Sequence, residues 1–227
     1  NPDITERSAV SGISLAEDAM MKIVELRHNE FPYTYELEYS YEFDGLIGFP
    51  DWAPRYRQAA LESSIYTVQV PEELEINYAS QNLGDASQPD IQNDGTQKRL
   101  IWRMSNRAEP TGVQYGPPWH ETAPRLIIQT PDFEYGDEPG SLKSWESYGQ
   151  WMHELWEGRD TLSPAFEQQI QMLIEGLEDR REIVDVLYQY LQENTRYVSI
   201  QLGIGGLQTE TAEQTQRTRY GDCKALT

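Results

Sequence analysis

Tyr33-Thr34-Tyr35-Glu36-Leu37-Glu38-Tyr39-Ser40-Tyr41-Glu42-Phe43 alternates between large apolar and polar residues without a break. The odd positions would share one side of an extended chain, and Thr34, Glu36, Glu38, Ser40 and Glu42 the other. Period two over this length predicts a β-strand with one dry face and one wet face. Asp44-Gly45 and the Gly48–Pro54 stretch are expected to end it. Working toward the C-terminus, Ser64–Val70 and Leu74–Ala79 repeat the pattern on either side of Pro71. The first strand puts Tyr66, Val68 and Val70 on one face, and the second Leu74, Ile76 and Tyr78. Lys98–Ser105 aligns Leu100, Trp102 and Met104, and Arg125–Thr130 sets Leu126 and Ile128 against Ile127. Between them, Gln81–Gln97 is rich in Asn, Asp, Gly, Gln and Ser and predicts an exposed hairpin tip. Glu109–Pro124, with Pro110, Pro117, Pro118 and Pro124, predicts an irregular connection. Toward the N-terminus the signal fades, and Ser14–Leu26 fits a short helix or a strand. Antiparallel strands joined by such loops imply a β-sandwich or a curled sheet.

Past residue 140 the period changes. Ser144–Trp156 places Trp145, Tyr148, Met152, Leu155 and Trp156 on or near one helical stripe, with Gly158 just beyond. Ser163-Pro164 opens a second helix carrying Phe166, Ile170, Leu173, Ile174 and Leu177. A third is predicted over Asp179–Thr195 with Ile183, Val186, Leu187, Tyr190 and Leu191 inward. A short one covers Glu210–Arg217, after a glycine-rich break at Gly203, Gly205 and Gly206. The fold class expected is α+β: an antiparallel β-sandwich over 1–130, a connection over 131–140, and a helical part over 141–227.

Composition narrows the function. With 38 acidic against 18 basic side chains, the formal net charge is -20. Such a surface repels phosphate backbones and anionic lipid heads, so no nucleic-acid partner is expected. No run of about 18 apolar residues occurs, so no membrane insertion is expected. No histidine and cysteine cluster has zinc spacing, so neither metal nor cofactor is expected. Acidic pairs such as Glu72-Glu73 and Asp137-Glu138 arise by chance at this acid content. Gly203-Ile204-Gly205-Gly206 lacks the Lys-Ser/Thr of a phosphate-binding loop and reads as a tight turn. Trp52, Tyr115 and Trp119 lie among Gly and Pro. They would stack on sugars if exposed, although plugging between strands is the commoner fate of tryptophan.

The single cysteine, Cys223, lies in Tyr220-Gly221-Asp222-Cys223-Lys224. Asp222 reads as an N-cap and Cys223 as a member of the first turn. Backbone N–H groups and the helix dipole favour a thiolate there, and the thiolate is the nucleophile. The three histidines, His28, His120 and His153, have no spacing that ties them to this turn.

Asn194-Thr195-Arg196-Tyr197-Val198-Ser199-Ile200, then Gly203-Ile204-Gly205-Gly206, then Tyr220-Gly221-Asp222-Cys223-Lys224 resembles the start of a bacterial transglutaminase-like domain of the kind that follows a β-rich DUF3857 domain. Upstream, Trp52-Ala53-Pro54, Phe133-Glu134-Tyr135-Gly136, Ser144-Trp145, Gly149, Trp151 and Gly158-Arg159 look like the tail of that β domain and its connection. The resemblance implies papain-like chemistry, with Cys223 as nucleophile, a histidine as base and an aspartate to orient it. Only the cysteine maps; in the family the other two come later than the position of Thr227. The chain is therefore expected to be a piece of a longer cysteine peptidase or amidase. Tyr220, Gly221 and Asp222 would support the nucleophile, and Arg196 and Tyr197 would buttress the turn before it. Many relatives continue Cys-Lys with Asp-Lys-Ala, where this chain has Ala225-Leu226-Thr227. The implied partner is a peptide or protein substrate, and the implied location periplasmic or extracellular. Two further functions fit the sequence: a non-catalytic β-sandwich module binding protein, peptide or glycan, and a scaffolding piece.

Overall fold

The computed structural model describes residues 4–10, 12, 14–26, 28–43, 45, 47–112 and 114–227. A β-rich region is followed by a helical segment, giving an α+β architecture. The first strands are β1 (Ile4–Ser8), β2 (Ser14–Glu17) and β3 (Met20–Val24), so Ser14–Leu26 resolves to strands rather than a helix. Next come β4 (Leu61–Pro71), β5 (Asn77–Gln81), β6 (Asp90–Asn93) and β7 (Gln97–Arg107). A short helix α1 (Trp119–Thr122) precedes β8 (Arg125–Gln129), β9 (Asp132–Tyr135) and β10 (Glu138–Ser141). The helical segment holds α2 (Trp145–Trp156), α3 (Pro164–Leu173) and α4 (Arg180–Asn194). Two short strands, β11 (Arg196–Tyr197) and β12 (Ser199–Gln201), lead to α5 (Ala212–Thr218) and β13 (Tyr220–Gly221).

These elements fall into two compact units. One comprises Phe43–Ser147 and the other Asn1–Glu42 with Tyr148–Thr227.

Within Phe43–Ser147, β4, β7 and β6 form one antiparallel sheet and β5 pairs with β8. The inward faces are those the alternation predicted. Val68 and Val70 of β4, Leu100, Trp102 and Met104 of β7, and Leu126 and Ile128 of β8 are buried in one cluster. Trp52 joins that cluster instead of facing solvent. Its backbone bridges to Leu126, and its indole N–H donates to Ser64 Oγ at 2.9 Å. The rings of Tyr66 and Tyr78 close on Trp102. Burial, then the charge of Asp51, pushes the Tyr66 phenol up from its ordinary value. Gln81–Gln97 is more than an exposed tip: Leu83 and Ala86 are buried, and the segment returns as β6 along β7. Residues 131–140, read as a connection, carry the β9–β10 hairpin. Lys143 donates to Asp132 at 2.7 Å, and this bond holds the Asp132 carboxyl below the usual carboxylate range.

The strand predicted over Tyr33–Phe43 is not formed. Residues 33–43 enter no ladder, and both sides of the alternation are exposed. The rings meet near neighbours instead: Tyr33 lies against His28 and Phe31, and Tyr39 against Tyr41. Alternation states which side chains would share a face, but a strand also needs a partner for its backbone groups. The expected end at Asp44 lies outside the described residues.

The helices begin where their caps stand. Ser163 Oγ accepts the Phe166 amide, Asp179 accepts the Arg181 amide and Thr211 Oγ1 accepts the Gln214 amide. On α2, Trp151 and Leu155 are the buried residues, whereas Trp145, placed on the stripe by its spacing, is 89% exposed. On α4, Ile183, Val186, Leu187, Tyr190 and Leu191 are half-buried, as the helical spacing predicts. Phe166 and Tyr190 bring α3 and α4 together. Arg159 ties the end of α2 to the loop before α5. Its side chain donates to the Leu155 and Thr209 carbonyls, and its own carbonyl accepts the Ala212 amide.

Candidate active site

Cys223 is exposed, and it lies in a turn spanning residues 223–226. That turn is built from Asp222. One carboxylate oxygen, Oδ1, accepts the Lys224 amide at 3.0 Å and the Ala225 amide at 3.1 Å, while the Asp222 carbonyl accepts the Leu226 amide at 3.1 Å. The bonding is that of an N-cap, a short side chain satisfying amides that a first helical turn would leave without partners, although residues 223–226 form a turn and not the helix start expected there. The other oxygen, Oδ2, pairs with Lys224 Nζ. Asp222 is 8% exposed, so the ammonium group compensates a carboxylate largely removed from water.

The remaining predicted residues converge on the same place. β11 and β13 pair in parallel, with Arg196 opposite Tyr220 and Tyr197 opposite Gly221. The Arg196 amide donates to the Arg219 carbonyl at 2.9 Å, and the Val198 amide to the Gly221 carbonyl at 2.9 Å. Tyr220 and Tyr197 are exposed at their side chains, and Gly221 is buried. A Cβ added at Gly221 would lie 3.0 Å from Leu226 Cδ2 and 3.1 Å from Ala225 Cβ. β13 therefore approaches the cysteine turn closely, and a larger residue at Gly221 would require Leu226 and Ala225 to shift. Arg196 and Tyr197 thus lie on the strand beside Tyr220 and Gly221, immediately before the Asp222-capped turn, held there by main-chain bonds.

Three residues behind this site carried no signal in the sequence, Ser14, Asp18 and Gln201, and Ser199 entered only as part of the Asn194–Ile200 stretch. β12 pairs in parallel with β2, with Ser199 opposite Ser14 and Gln201 opposite Glu17. Ser14 Oγ and Ser199 Oγ lie 3.0 Å apart. Gln201 Nε2 donates to Ser199 Oγ at 3.1 Å and to Asp222 Oδ2 at 3.5 Å. Asp18 accepts the Gly203 amide. Contacts between segments 185 positions apart have no local pattern from which they could be read.

The histidines stand in their own surroundings. His120 is exposed on α1 with Nε2 at 3.9 Å from Glu121, His28 meets the Tyr33 ring, and His153 is exposed on α2. Of the loop aromatics, Tyr115 is exposed and Trp52 buried. Among the described residues, no group of three or more His, Cys, Asp and Glu side chains gathers to hold a metal. No helix among them is long and apolar enough to cross a membrane.

Residues 3–111 match DUF3857, described as a domain of unknown function with a solved structure, so an N-terminal DUF3857 domain is present. The core of the β-rich unit runs past that match, since Leu126 and Ile128 of β8 complete it. A search of solved structures finds similarity to a "putative protease from Parabacteroides distasonis ATCC 8503". The two are 15% identical with a TM-score of 0.48, over 81% of this chain and 33% of that one. The chain thus spans about a third of that structure's length. No curated protein matches the chain.

Proposed function

We propose that Cys223 is the nucleophile of a cysteine acyl-transfer enzyme, a peptidase or amidase of transglutaminase-like type, and that the DUF3857 domain is its accessory module. The observation that carries this reading is the exposed thiol on a turn whose amides are capped by a buried, charge-compensated aspartate. A nucleophile has to be reachable while its backbone is held still, and an N-capped turn meets both needs. Attack by the Cys223 thiolate on a carbonyl carbon would form a thioester and release an amine, and water would then release the acid. The base that takes the thiol proton, and the group that orients it, would come from a segment outside residues 1–227. The substrate would be a peptide or protein, and the site of action periplasmic or extracellular.

The test is Cys223→Ala in the longer protein, assayed for hydrolysis of a fluorogenic peptide-amide library. Loss of turnover by about a thousandfold or more is expected, as for removal of a catalytic nucleophile. Unchanged turnover would end this reading and leave the β-rich domain as a non-catalytic binding module.

A further inference from the structure

We infer that the N-terminal strand β2 is a working part of the cysteine turn, joined to it by a side-chain relay in which Gln201 is the positioning residue. The inference rests on the reading of Cys223 as a nucleophile, and it adds to that reading the group that fixes the turn from behind.

The relay has three links. Ser14 on β2 meets Ser199 on β12 at 3.0 Å. Ser199 Oγ accepts from Gln201 Nε2 at 3.1 Å. The same amide nitrogen, which carries two hydrogens, reaches Asp222 Oδ2 at 3.5 Å. Asp222 then passes to the amides of Lys224 and Ala225 through its other oxygen.

Strand geometry explains why these residues meet. Parallel pairing sets Ser14 opposite Ser199, so two short hydroxyls face each other across the ladder. Ser199 and Gln201 are two apart on one strand, the spacing that shares a face. The register shifts between Ser199 and Ile200, a local irregularity of the kind that re-aims side chains beside functional sites.

Burial favours the relay. Ser199 is 4% exposed and Asp222 8%, so protein partners serve their polar atoms: Ser14 and Gln201 at Ser199, and Gln201 beside Lys224 at Asp222 Oδ2. A second tether reinforces the first, because Asp18, directly after β2, accepts the Gly203 amide. The strand belongs to the stretch that matches DUF3857, whereas the cysteine turn lies beyond that match. The accessory domain's own N-terminal segment therefore supplies part of the frame of the nucleophile. Docking of β2 sets how rigidly Asp222 holds the turn, and a nucleophile misplaced by about 1 Å loses much of its effectiveness.

The experiment is residue-resolved amide hydrogen exchange on the 227-residue chain, comparing wild type with Ser14→Ala and Ser14→Thr. Ser14→Ala is expected to speed exchange at the Lys224 and Ala225 amides about three- to tenfold, the equivalent of one intramolecular hydrogen bond, with the β7 amides unchanged. Ser14→Thr keeps the hydroxyl and is expected to restore protection, which a loss of general strand stability would not require. Unaltered exchange at Lys224 and Ala225 in Ser14→Ala, or no rescue by threonine, overturns the relay. Should Ser14→Ala not fold, Gln201→Leu decides: faster exchange at both amides supports the relay, and none refutes it. No turnover enters this measurement, so the relay can fail while Cys223 remains a nucleophile, and the reverse.

Discussion

At the scale of single residues, short polar side chains shape this protein by closing turns. Asp222 does so at the cysteine, and Asp94 does the same between β6 and β7. Asp94 Oδ1 accepts the Gln97 amide at 2.8 Å, the Thr96 amide at 2.9 Å and the Thr96 hydroxyl at 2.8 Å. The amides of Gln97 and Thr96, then the Thr96 hydroxyl, hold its carboxyl below the ordinary Asp value. A folded pKa below the unfolded one means that the charged form stabilises the hairpin. The contribution is complete above the unfolded value of about 4 and is lost as the pH falls through the folded value. The substitution Asp94→Asn would keep an acceptor oxygen but remove the titrating group. The stability difference between wild type and that variant is therefore expected to shrink between about pH 6 and pH 2. Thermal melts of both proteins across that range check it, and a constant difference would exclude a role for the Asp94 charge.

At the scale of elements, helices were legible where strands were only half so. Ser163-Pro164 and Asp179 mark real N-caps, and the apolar spacing of α4 named its half-buried face correctly. A helix satisfies its backbone within its own segment, so local sequence carries most of the information. Tyr33–Phe43 has the cleanest β pattern in the chain and forms no strand, while β1, β2 and β3 form from sequence with little pattern at all. A strand's backbone is satisfied by a distant segment, and alternation does not say which one. The caps give a direct check. Asp179→Ala removes the acceptor of the Arg181 amide, which lies 2.9 Å away, and is expected to cost about 1 kcal/mol. A fall in the urea midpoint at unchanged slope would record it, and an unmoved midpoint would show that the cap contributes nothing.

At the scale of the whole molecule, two compact units divide the labour. One holds the densely buried aromatic and aliphatic core, with Trp102 fully buried. The other carries the cysteine turn on short strands, and neither α3 nor α4 has a fully buried residue. Hydrogen exchange is therefore expected to be slowest in β4 and β7 and distinctly faster in α3 and α4, because sub-global opening follows buried apolar contact. Equal protection of α4 and β7 would contradict this.

The amino-acid sequence by itself determined the α+β class, the inward faces of β4, β7 and β8, and the starts of α2, α3 and α4. Each of these depends on contacts between near neighbours or on which face an element buries, and periodicity and capping chemistry record both. Only the tertiary structure decided that Tyr33–Phe43 stays outside every sheet, that Trp52 is a core residue, and that Ser14 meets Ser199. Those outcomes depend on which remote segment supplies the missing hydrogen bonds or apolar cover, a choice made by the folded chain as a whole.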